Sequence, residues 1–283
     1  MQKKVRSLFE IHVAVFLFGL AGIFGKLVSL PAVIITLGRV LFATIALLII
    51  FLYKKKKITL NNKKDYFFLI ILGIVLAIHW TTFFHSIQIS TVSIGLLTFS
   101  TFPLFVTFIE SYFFKEKITF KNIILAIITL MGVALVIPKY EFGNNLTQGA
   151  IWGIISGFTF AILQLMNRKY VKKYSSLVIT FYQVGIASLV LLPFLFYYPI
   201  NYDLKNVLLL GLLGIVFTAI AHSLFIKGLQ NIKVQTASII ASLEPVYAII
   251  FAVFIINEIP TFRVILGGII ILGTSLYVTI GLK

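Results

Sequence analysis

The chain has 283 residues, of which 60% are hydrophobic and 11% charged, with a mean hydropathy of +1.09. A soluble domain carries about a quarter charged residues, so this chain lacks the polar surface needed to cover a water-soluble globule. The absence of cysteine excludes disulfides, zinc–thiolate sites and thiol nucleophiles, and the net charge of +16 fits the loops of a membrane protein better than nucleic-acid binding.

The apolar residues come in long runs. Tyr66 to Ile109, Tyr174 to Tyr202 and Val264 to Leu282 contain no Asp, Glu, Lys or Arg. A helix crosses the hydrocarbon core with roughly 20 apolar residues, so each run holds one or two spans. Ten spans are predicted, near 8–28, 32–52, 65–86, 91–112, 120–138, 147–167, 175–198, 205–227, 233–256 and 261–281. The basic start, Met1 to Ser7, resembles that of a signal peptide, but no small-residue cleavage site follows. It therefore reads as a retained first helix. Pro31, Pro138, Pro199 and Pro260 sit at span ends, whereas Pro103, Pro193 and Pro245 fall inside spans and predict kinks. A transmembrane β-barrel would need short alternating strands and is excluded by run length.

Basic residues set the orientation. With the N-terminus inside, 19 Lys and Arg fall on the inner side and 5 on the outer side or outer membrane half (Lys26, Arg39, Lys139, Lys205 and Arg263). The split supports ten spans and places both termini in the cytoplasm.

Sliding the chain against itself by 142 residues aligns its halves without a gap. Pro103 meets Pro245, Glu116 meets Glu258, Thr119-Phe120-Lys121 meets Thr261-Phe262-Arg263, and Gln88 meets Gln230. The expected fold class is thus an all-α integral membrane protein of two five-helix repeats, 1–141 and 142–283. An odd number of spans per repeat makes the second repeat inverted. That architecture belongs to transporters that hold substrate near the midplane between repeats.

The two matching stretches, PLFVTFIESYFFKEKITFKNIILAIITLMG from Pro103 and EPVYAIIFAVFIINEIPTFRVILGGIIILG from Glu244, each place Glu thirteen residues after Pro. With ten spans, Arg39 in the second, and Phe18-Gly19 followed by Lys26, the chain resembles the drug/metabolite transporter superfamily, specifically its EamA-type members. The resemblance covers essentially the whole chain. It implies carriage of amino acids, nucleosides, sugars, sugar phosphates or toxic compounds, often by export. One departure is Phe18, where the family often has Trp.

Charges at membrane depth are the sharpest residue-level signal, because each is costly unless paired or wet. Glu244 lies eleven residues into the ninth span, roughly 16 Å deep at about 1.5 Å per residue. Two readings stand: it lines a cavity and binds a cationic group or a coupling proton, or it pairs with a neighbour and locks the fold. Arg39 either attracts a substrate carboxylate or ties the second span to other helices. His79, Trp80, Phe83, Phe84 and His85 cluster on the third span, and His222 on the eighth aligns with Trp80 at the 142-residue offset. Such equivalent positions would face each other across a central cavity. Trp80 would offer an aromatic wall, and His79 or His222 a polar handle or proton acceptor; ordinary packing is the alternative for all three. Gln164, Asn167 and Tyr182 would supply further polar lining. Glu116 and Glu258 are read as caps for the helices starting at Thr119 and Thr261. Glu110 and Lys227 read as interfacial, and Trp152 as a headgroup-level anchor.

No phosphate-binding loop, metal cluster or nucleophile elbow is present in the sequence, so no catalytic residue, metal ligand or cofactor is expected. The expected partners are a small-molecule substrate, the lipid bilayer and protons, with no nucleic acid. The leading reading is a secondary exporter of small metabolites such as amino acids, in the cell membrane. The alternatives are an exporter of cationic compounds, an intramembrane enzyme, or a channel. The last two lack, respectively, a second acid near Glu244 and a ring of charge.

Overall fold

The computed structural model describes residues 2–55, 57–114, 120–137, 141–198 and 203–281. Glu116, Thr119, Pro138 and Pro199 lie outside the described residues. Among the described residues every regular element is helical: α1 (Gln2–Leu27), α2 (Ala32–Tyr53), α3 (Lys63–Ile89), α4 (Val92–Phe99), α5 (Phe102–Phe114), α6 (Phe120–Val136), α7 (Asn145–Tyr170), α8 (Ser176–Leu191), α9 (Leu204–Gly214), α10 (Ala221–Gly228), α11 (Val234–Ala241), α12 (Glu244–Ile256) and α13 (Phe262–Gly281). Among the described residues, eight segments are long and apolar enough to cross a bilayer, and two shorter apolar helices, Ile123–Val136 and Phe262–Thr274, accompany them. The protein is a multi-pass integral membrane protein.

Local chemistry explains most boundaries. Asn62, Thr91, Asn144, Ser175 and Asp203 each cap the helix that follows, accepting a backbone N–H through the side chain. The kinks expected at Pro103 and Pro245 are realised as breaks, between α4 and α5 and between α11 and α12. Pro193 opens a short 3₁₀ segment, Leu192–Phe196, after α8. The eighth span carries a different break. Between α9 and α10 the helix widens into a π turn, Ile215–Ile220, where the Thr218 hydroxyl donates to the Leu213 carbonyl five residues back, at 2.8 Å.

The boundaries repeat at the sequence offset. Val92 and Val234, Phe102 and Glu244, and Phe120 and Phe262 open equivalent helices 142 residues apart. Two cations follow the same spacing. Lys26 donates to the carbonyls of Gln88 and Ser90 at the end of α3, at 3.2 and 2.7 Å. Arg168 donates to the carbonyls of Leu229 and Gln230 at the end of α10. Each sits where the helix dipole favours positive charge.

The starts of α1 and α3 meet the loops near 171–175 and 229–233, through Ser7–Asn231 and Asp65–Tyr174. We term this the basic face. The turns near 28–31, 90–91 and 257–261 gather on the opposite face. Close helix contact rests on glycine. A Cβ on Gly153 of α7 would stand 2.0 Å from the Thr98 hydroxyl, and one on Gly157 2.6 Å from the Phe99 carbonyl. Bulky apolar side chains such as Leu52, Phe67, Leu189 and Ile269 point outward, as lipid contact requires.

Glu258 corrects one expectation. It caps α4 of the other half rather than the helix that follows it: its two oxygens accept the N–H groups of Val92 and Ser93, each at 3.0 Å. Thr261 does cap α13, accepting from Val264 at 3.4 Å. Glu258→Ala is expected to lower stability by about 1–2 kcal/mol, the usual value of an N-cap carboxylate. A thermal-unfolding shift of the purified protein measures it, with Glu258→Gln falling between mutant and wild type.

Candidate functional site

The helix breaks lie around one small cavity in the middle of the bundle, walled by side chains from both halves. Gly19 lets α1 approach α12 closely, because a Cβ there would meet Tyr247 Cβ at 2.6 Å and the Glu244 carbonyl at 3.1 Å. This brings Phe18 and Ala21 to the cavity beside Glu244, the first residue of α12. Phe83, Phe99 and Phe160 form an aromatic wall, with ring centroids 5.5 Å apart for Phe83–Phe99 and 5.2 Å for Phe99–Phe160.

Arg39 enters from α2 and is 2% exposed. Its guanidinium carbon lies over Trp80, 3.8 Å from the ring centroid. Nε donates to the Thr218 hydroxyl at 2.9 Å, and Nη2 to the Phe217 carbonyl at 3.4 Å, so Arg39 grips the π turn. Glu244 is 4% exposed. Among the described residues its carboxylate has no hydrogen bond and no ion pair within 4.0 Å. Its charge and that of Arg39 nevertheless act on one another across the cavity. A guanidinium and a carboxyl group thus share one cavity without touching.

The histidines are held from behind. His79 Nδ1 lies 3.0 Å from the Ser156 carbonyl and 2.9 Å from the Ser156 hydroxyl, and its ring stacks on Phe160 at 5.2 Å. His222 Nε2 lies 2.8 Å from Gln183 Oε1, and Gln183 donates on to Asn167 at 2.6 Å. Both residues line the cavity. Trp80 and His222, paired by the 142-residue offset, meet edge to face at 5.3 Å.

Of the residues singled out by sequence, Arg39, His79, Trp80, His222 and Glu244 converge on the cavity. Gln164 does not line it; it is fully buried nearer the basic face and accepts from Ser238 at 3.0 Å. Tyr182 stands apart. Its hydroxyl reaches the Ile58 carbonyl at 3.2 Å and its ring meets Tyr66, because a long side chain one turn and a half into α8 extends to the basic face. Lys227 is more than interfacial: it pairs with Glu10, which also pairs with Arg6. Trp152 packs edge to face on His85 at 5.5 Å. Sequence reasoning missed Ser156 and Gln183. Each is one of several buried polar residues on its helix, α7 for Ser156 and α8 for Gln183, and nothing in the sequence sets it apart from the others. No cluster of three metal-ligating side chains occurs among the described residues.

A family model described as the EamA-like transporter family matches residues 7–137 and again 147–280. The chain belongs to the EamA-like transporter family. It is a membrane transporter and not an enzyme. Among similar EamA-like proteins, an "Uncharacterized transporter" of Archaeoglobus fulgidus is 33% identical over 66% of this chain and 67% of its own. "Uncharacterized transporter YxxF" of Bacillus subtilis is 27% identical over 88% of this chain and 81% of its own. An "S-adenosylmethionine uptake transporter" of Rickettsia conorii is 24% identical over 74% of this chain and 70% of its own. A solved crystal structure superposes with a TM-score of 0.68 at 14% identity, covering 95% of this chain and 94% of the other, and shares the fold.

Proposed function

We propose that this EamA-like transporter is a ten-helix carrier in the cell membrane that exports an amino-acid-like zwitterion by alternating access. In this reading residues 1–141 and 142–283 are inverted five-helix repeats and both termini are cytoplasmic. The shared 142-residue spacing of helix starts and capping cations supports the repeats. The two shorter apolar helices, α6 and α13, complete the ten spans and pack on one another through Thr129 and Thr274, 2.7 Å apart. The basic face is then the cytoplasmic one.

The observation that carries the substrate class is the unpaired couple of Arg39 and Glu244 in one aromatic-walled cavity. Arg39 presents the fork that a carboxylate accepts in bidentate fashion. Glu244 takes the ammonium group, and His79 and His222 offer ring nitrogens between them. Protons compete with the ammonium for Glu244, which makes proton exchange the natural coupling. The S-adenosylmethionine named for the Rickettsia relative itself contains an amino-acid zwitterion, in line with this class. Counterflow in proteoliposomes, with amino acids, nucleosides and cationic dyes as separate arms, tests the proposal. Amino acids are expected to exchange, and Glu244→Gln to abolish the pH dependence of that exchange. Movement of dyes alone would move the assignment to a cation exporter.

A further inference from the structure

The two halves differ most in what lies beyond the cavity. Toward the basic face, α7, α8 and α11 bury Gln164, Asn167, Thr180, Gln183 and Ser238, all 2% exposed or less. Their equivalents 142 residues earlier, toward the opposite face, are Gly22, Gly25, Gly38, Leu41 and Leu96. At these five pairs of equivalent positions the basic-face side is therefore polar and the opposite side is not. Polar side chains at membrane depth mark solute pathways, since packing alone is served better by apolar ones. The groups on the polar side bond to one another in two short chains, His222–Gln183–Asn167 and Gln164–Ser238. The chains do not satisfy themselves. Gln164 is completely buried, and its amide nitrogen has no acceptor. If the amide is turned over, its oxygen is orphaned instead, so the defect survives either assignment. A buried unsatisfied amide in a native protein calls for a ligand or water as its partner.

We infer that Gln164, with Ser238 and the Gln183–Asn167 pair, forms a second binding station between the cavity and the basic face, which takes a hydrogen-bonding oxygen of the solute. A carboxylate, carbonyl or hydroxyl oxygen suits the free N–H₂, and the station would hold the solute as it enters from or leaves to that side. The station differs from the cavity in chemistry: it carries amides and a hydroxyl where the cavity carries charges and aromatic rings. It has no counterpart toward the opposite face, so the two half-cycles of transport are chemically unequal. The inference rests on the transporter reading but not on the identity of the solute.

The absence of native cysteine makes the test direct. Single cysteines are placed at Ser238 and Gln183, at their equivalents Leu96 and Leu41, and at Ala21 on the cavity wall. Each variant is reacted with N-ethylmaleimide in lipid nanodiscs. A thiol reacts as thiolate, which requires water. Ser238→Cys and Gln183→Cys are expected to label at least tenfold faster than Leu96→Cys and Leu41→Cys. Equal rates within the pairs would overturn the station, whatever solute the protein carries. A mixture of the nineteen amino acids other than cysteine, whose thiol would consume the reagent, is then added as the probe. Slower labelling of Ser238→Cys, relieved when Gln164→Leu is added, supports binding at the station. If the mixture protects Ala21→Cys but not Ser238→Cys, the polar side is only a water path and the inference falls. If it protects neither, the amino-acid assignment of the cavity fails, and the labelling rates alone decide the station.

Discussion

Arg39→Met is expected to abolish transport while leaving the folded protein at least as stable as the wild type. The guanidinium is completely buried, yet no carboxylate stands within ion-pair distance among the described residues. Its compensation is the stack on Trp80 and the bonds to Thr218 and Phe217. A desolvated cation–π contact contributes about 2 kcal/mol, and a hydrogen bond from a charged donor about 1.5–3 kcal/mol. Removing an ion from water costs several kcal/mol, so the terms nearly cancel. Methionine fills the volume without the charge, and Thr218 keeps its bond to the Leu213 carbonyl. Thermal unfolding and counterflow, measured on the same preparation, separate the roles. A purely structural Arg39 would show the opposite pattern, a lowered Tm with transport retained by the folded fraction. Arg39→Lys is expected to fail as well, because an ammonium neither stacks flat nor offers the fork.

Gly153→Val is the second substitution with a large expected effect. Even one added carbon at this position overlaps Thr98 Oγ1 at 2.0 Å and the Gly95 carbonyl at 2.9 Å. The Gly95 oxygen belongs to the backbone, and Thr98 Cβ, 3.1 Å away, is fixed to it, so α7 must separate from α4. Overpacking of this kind costs about 1–3 kcal/mol. The strain falls on the opposite-face half of the bundle, where α7 meets α4 at backbone distance. The positions equivalent to Gly153 and Gly157 on α1 are Ile11 and Val15. Close approach at the basic face is instead provided by Gly228 of α10, whose Cβ would meet Ile11 at 2.3 Å. The variant is expected to retain solute binding and lose at least nine-tenths of its exchange rate, because the opposite face no longer closes. Binding and exchange lost together would place Gly153 in folding alone.

Local chemistry was readable and tertiary chemistry was not. The breaks at Pro103 and Pro245 and the 3₁₀ turn at Pro193 follow from proline's missing N–H, which acts wherever the chain places it. One tertiary contact is an exception: Trp80 and His222, which the 142-residue offset pairs, meet edge to face at 5.3 Å. The π turn was hidden, since its visible causes are one threonine hydroxyl and a guanidinium from 179 residues away. Tyr182 read as pocket lining from its polar tip, but reach decided its place: the hydroxyl extends to Ile58 at the basic face. Glu258 read as a local cap, and its partners lie 165 and 166 residues earlier. Ser156 and Gln183 orient the two histidines, a role that no composition or spacing rule announces.

In the proposed function Arg39 and Glu244 together select a zwitterion. Binding to the purified protein of the amino acid that exchanges best, of the same acid without its amine, and of the amine left by decarboxylation tests it most directly. Each single-charge analogue leaves one buried charge unmatched. Each is therefore expected to bind at least tenfold more weakly than the parent, a loss of about 1.4 kcal/mol or more. An analogue that binds as tightly as the zwitterion would contradict the account, and which analogue it is would identify the charge that recognises nothing.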